Sequence, residues 1–142
     1  MNLSSHFTLD ELTVTDHREF DNTPPPAVIE NLRRLAALLE RVKVACGNRP
    51  ILVSSGYRSR AVNSAVGSKE SSQHRRGCAA DFRIPGMTPD QVVRRIISAG
   101  LPFDQVIREF DRWTHISVAS SPGAAPRGSK LIIDRNGNRG FV

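Results

Sequence analysis

Ten residues near the middle of the chain, Ser72-Gln73-His74-Arg75-Arg76-Gly77-Cys78-Ala79-Ala80-Asp81, restrict the fold more than any other stretch. His74 and Asp81 lie seven positions apart, with a glycine and small residues between them. An acid set in the apolar run Ala79-Ala80-Asp81-Phe82 is costly unless it is paired or bound to a metal. His74 alone would pass for an exposed histidine in a polar loop. A second histidine, His115, lies in the apolar strand Trp113-Thr114-His115-Ile116-Ser117-Val118. A fold that joins these three gives two imidazoles and one carboxylate. That set leaves a fourth tetrahedral position open, the pattern of a catalytic rather than a structural zinc.

The rest of the sequence suggests how the three could meet. Apolar positions Val28, Leu32, Leu35, Leu39 and Val42 recur at helical spacing after Pro24-Pro25-Pro26, and Gly47 is placed to end that helix. Ile51–Ser55 is expected to be a buried strand ending at Gly56, followed by a short helix over Arg60–Val66. Cys78–Ile84 is expected to be a strand on which Asp81 faces away from Ala80 and Phe82. Thr88-Pro89-Asp90-Gln91 has the form of a capping box with proline at the first helical position, and Val92, Val93, Ile96 and Ile97 continue a second long helix. Strands are expected over Gln105–Phe110, Thr114–Ala119 and Lys130–Asp134. Ser120–Ser129 would be a loop of small residues and Asn136-Gly137 a turn. Helices lead and strands follow. This order predicts a single α+β domain over residues 1–142, with a small, mainly antiparallel sheet and helices packed on one side.

Composition narrows the function. At 142 residues the chain fits one core. No apolar run approaches the roughly 20 residues needed to span a bilayer. The net charge of +6 favours solubility and attraction to an anionic envelope. Few aromatics interleave the basic residues, so a nucleic-acid partner is not expected. Cys46 and Cys78 are too far apart in sequence for a C-x-x-C pair and are expected to be buried free thiols.

The pattern S-x-H-x-x-G-x-A-x-D resembles the zinc D-Ala-D-Ala carboxypeptidases. It is preceded here by Ser55-Gly56-Tyr57-Arg58-Ser59 and followed by the W-x-H strand. The same group contains phage L-alanyl-D-glutamate endopeptidases and is related to the wider LAS murein metallopeptidases. The opening Leu3–Leu12 and the segment Phe103–Phe110 are similar to short phage and prophage members. The resemblance implies zinc held by His74, Asp81 and His115, and a substrate found in the peptidoglycan stem peptide. It also implies that Arg58 binds a substrate carboxylate or the oxyanion. Ser72 would either bond the substrate or shape the turn before His74.

Several relatives place an acid three residues before the last histidine. Here that position is Arg112, which cannot accept a proton, so the base falls to Glu109 or Asp111. A hairpin with a three-residue loop between strands 105–110 and 114–119 would set Glu109 directly across from His115, which favours Glu109. The resemblance further implies a monomer from a phage or prophage. The N-terminus has no secretory signal pattern, so delivery to the wall would depend on a holin-type pore, on lysis or on the virion. A zinc-containing wall-binding module of the same fold, without catalysis, is the alternative.

Overall fold

Pro25 and Pro26 pre-set the backbone for a helix start, and helix α1 runs from Pro26 to Ala45. Its stripe of Leu32, Leu35, Leu39 and Val42 is fully buried. Gly47 follows with φ +75°, the left-handed turn that ends the helix. The computed structural model describes all residues 1–142. After α1 come β1 (Leu52–Ser55), α2 (Arg60–Ala65), β2 (Ala79–Arg83) and α3 (Pro89–Ser98). The Thr88–Gln91 capping box is fully formed, each side chain bonding the other's backbone N–H. Strands β3 (Gln105–Glu109), β4 (Trp113–Ser117), β5 (Ser129–Asp134) and β6 (Gly137–Gly140) complete the chain.

The six strands form one sheet in the order β1-β2-β4-β3-β5-β6, and the fold class is α+β. Ala80 and Phe82 of β2, Val106 of β3 and Ile116 of β4 join the buried faces of α1 and α3 in one core. The residues between them, Asp81, His115 and Glu109, therefore point to the opposite face. The two main helices thus cover one face of the sheet and leave the candidate residues on the other.

Three details extend or correct the expectations. First, the sheet is mainly antiparallel as expected, but it is mixed, because β5 runs parallel to β3. Its first residue, Ser129, pairs with Gln105 at the start of β3, so the preceding loop only has to step across the end of that strand. Second, β1 is a half-buried edge strand with Leu52 exposed, and only the preceding Ile51 is fully covered. Third, Asn136-Gly137 does more than turn the chain: it opens a hairpin into the exposed strand β6. No helix is long and apolar enough to cross a membrane. Cys46 and Cys78 are buried free thiols.

Candidate metal centre

Asp81 and His115 are directly opposed in the β2–β4 ladder. Directly paired residues share a face of the sheet, and here His115 Nδ1 lies 2.9 Å from Asp81 Oδ1. His74 reaches the same oxygen from outside the sheet. It sits on a 3-10 turn, Gln73–Arg76, which the sequence does not announce. Ser72 caps that turn by accepting the backbone N–H of His74. Gly77 ends it at φ +74°, where a Cβ would meet Val28 Cγ1 at 2.7 Å. The chain is thereby folded inward at His74, which is buried rather than exposed.

His74 Nδ1 donates to the Gly56 carbonyl at 2.8 Å, so Nε2 is the nitrogen left with a free lone pair. That Nε2 lies 3.4 Å from Asp81 Oδ1. The two imidazole rings are edge to face with centroids 5.2 Å apart. One ligand atom from each of His74, Asp81 and His115 lies within 4.8 Å of the other two, a group that could hold a metal ion. Two borderline nitrogens and one carboxylate oxygen suit zinc.

Electrostatics prepare these groups for a cation. Burial pushes the Asp81 carboxyl up, but the charges and hydrogen bonds of His74 and His115 outweigh it and hold Asp81 well below the carboxylate range. Burial lowers His74, which favours the neutral imidazole that a metal needs, although the Asp81 charge works against it.

Arg58 reaches the cluster from the loop after β1. Its Nη2 lies 3.5 Å from Asp81 Oδ2, and its Nε donates to Ser55 Oγ at 3.1 Å. Its backbone N–H donates to the His74 carbonyl. The guanidinium is thus fixed beside the second oxygen of Asp81. Gln73 points away and bonds Asp104, the Val118 carbonyl and Ser120.

The β3–β4 hairpin places the two acids differently. Its three-residue loop is Phe110-Asp111-Arg112, one residue earlier than expected, so Glu109 pairs with Trp113 and Ile107 with His115. Moving the loop by one residue moves the register by two. Glu109 therefore stays on the His115 face, displaced diagonally, with Oε1 4.0 Å from His115 Nδ1. Burial raises the Glu109 carboxyl above its ordinary value, the Asp81 charge adds to this, and His115 and Arg58 oppose it. The Trp113 indole nitrogen also faces this carboxyl, buried and outside hydrogen-bond geometry. Asp111 is exposed and pairs with Arg108 at 3.0 Å. Arg108 lies opposite Thr114 and so faces away from His115.

Gly56 is a contributor that motif reading missed as a functional residue. The signal was present, since glycine precedes Tyr57-Arg58. A Cβ there would lie 2.3 Å from the Leu12 carbonyl oxygen. Only glycine lets the N-terminal segment approach this closely while Gly56 presents its own carbonyl to His74.

In a comparison with known families, the family described as Peptidase M15 matches residues 5–117, more than half of the chain and every residue of this cluster. A search of curated proteins finds no match.

Proposed function

Because the chain belongs to the Peptidase M15 family, whose members are zinc peptidases, we propose that it hydrolyses a peptide bond involving a D-amino acid in bacterial peptidoglycan. The cut would be of the D-Ala-D-Ala carboxypeptidase or the endolysin-type endopeptidase kind. The single observation that supports this best is the juxtaposition of Glu109, a carboxyl raised by burial, with the His74–Asp81–His115 group.

In this reading His74, Asp81 and His115 hold Zn2+. When bound, zinc polarises the scissile carbonyl and lowers the pKa of water from about 15.7 toward about 7. Glu109 takes the proton from the attacking water and delivers it to the leaving amine, a role suited to a carboxyl raised toward neutrality. Arg58 uses Nη2 and Nε to hold Asp81 and Ser55, leaving Nη1 for a substrate carboxylate or the oxyanion. Ser72 shapes the turn that carries His74. The basic surface favours an anionic wall. A phage or prophage setting, with delivery by a holin-type pore, lysis or the virion, belongs to the same proposal, as does action as a monomer.

A wall-binding module without catalysis would have no use for a half-buried acid beside the metal residues. Incubation of the zinc-loaded chain with purified sacculi tests the choice. The proposal expects release of soluble muropeptides, blocked by a chelator. A chain that pellets with sacculi and releases nothing is a binding module.

A further inference from the structure

One cavity of the molecule is lined by none of the metal residues. It is a cleft of about 530 Å³ where the turns of the β3–β4 and β5–β6 hairpins meet. Its charges are unevenly matched. Asp111 is paired with Arg108, and Asp134 is held by two bonds of 2.9 Å from Arg139. The two arginines that line it, Arg112 and Arg135, are exposed and form no ion pair. Both aspartates are thus neutralised, and two free guanidinium groups remain. Phe110 is 47% exposed at the rim and packs on Trp113 with centroids 5.8 Å apart.

The turn itself is held in an unusual shape. Phe110 and Asp111 both have φ +52°, a region that non-glycine residues seldom enter. The Phe110 N–H donates to the Ile133 carbonyl, which ties this turn to β5 and fixes the cleft between the hairpins. Trp113 belongs to both places: it lines the cleft, and it stands directly across from Glu109.

We infer that this cleft is a substrate subsite that binds a free carboxylate of the peptide through Arg112 and Arg135, with Phe110 and Trp113 packing against its aliphatic part. Guanidinium groups match a carboxylate with paired N–H donors. The inference rests on the peptidase reading and adds a source of specificity to it. A stem peptide carries such a group on its γ-linked D-glutamate, and the bound carboxylate would help to align the chain past Glu109.

The test uses the full-length Glu109→Gln chain, loaded with zinc, so that binding is measured without turnover. The probes are L-Ala-γ-D-Glu-L-Lys-D-Ala-D-Ala and the same peptide with the glutamate α-carboxylate converted to carboxamide. Calorimetry should show the acid binding about tenfold tighter than the amide, the scale of partly exposed charge contacts. Adding Arg112→Ala and Arg135→Ala together should bring the two peptides to within about twofold, with zinc content and circular dichroism unchanged. Arg41→Ala, a distant exposed arginine on α1, should keep the full preference and controls for net charge. Equal binding of acid and amide, or a preference that survives the double change, overturns the subsite. Wild-type turnover of the same peptides separates the two claims: cleavage without charge preference defeats the subsite alone. Preference without any cleavage defeats the peptidase reading and leaves the subsite standing.

Discussion

The Nδ1 of His74 lies 2.8 Å from the carbonyl oxygen of Gly56, and that bond decides which ring nitrogen faces Asp81. Gly56 can offer its carbonyl only because the Leu12 backbone packs where a side chain would be. Gly56→Ala should therefore shift the loop and turn the imidazole. Loss of such an orienting partner costs about 10–100-fold in metal affinity. Competitive zinc titration against a chromophoric chelator checks this, and unchanged affinity would mean that His74 is oriented by the 3-10 turn alone.

Glu109→Gln should retain zinc and fold but lose about 10²–10⁴-fold in turnover, the usual contribution of a general acid–base group. Asp111→Asn should stay near wild type, because Asp111 pairs with Arg108 on the far side of the sheet. Steady-state kinetics on a stem peptide distinguishes them. An active Glu109→Gln beside a dead Asp111→Asn would reverse the assignment.

Arg58→Lys keeps the charge beside Asp81 but loses the planar fork. Catalytic efficiency should fall at least tenfold, with zinc content and melting temperature close to wild type. A purely structural Arg58 gives the opposite pattern: a lower melting temperature with activity per folded molecule preserved.

Asp104 anchors the loop before β5. It accepts from Gln73 Nε2 and from the backbone and side chain of Arg127. Burial pushes its carboxyl up, but these bonds prevail and its folded pKa lies below the ordinary value. A depressed carboxyl contributes stability that is complete above its unfolded pKa and is lost as pH falls through the folded one. Asp104→Asn should cost about 1.5–3 kcal/mol at neutral pH, the scale for hydrogen bonds to a charged group. The difference from wild type should shrink in acid. Denaturant melts across pH 2–7 check the sign, and a gap that widens in acid would contradict it.

Much of this site could be read from the sequence because the strands expose their logic. Asp81 and His115 are polar residues in apolar runs, and alternation alone sends them to the face opposite Ala80 and Ile116. Glu109 lies on the His115 face even though the loop sits one residue earlier than expected, because a two-residue register shift preserves the face. What stayed hidden depends on tertiary packing. His74 is buried because Ser72 and Gly77 bend four polar residues into a 3-10 turn against α1. The parallel placement of β5 follows from how the small-residue loop is anchored at Asp104 and Phe103, which no periodicity encodes.

Zinc content of the dialysed protein tests the central claim most directly. Elemental analysis should find about one zinc per chain in the wild type and in Glu109→Gln. It should find almost none in folded His74→Ala, Asp81→Ala or His115→Ala. One full equivalent of zinc retained by folded His74→Ala would contradict the assignment of the metal centre.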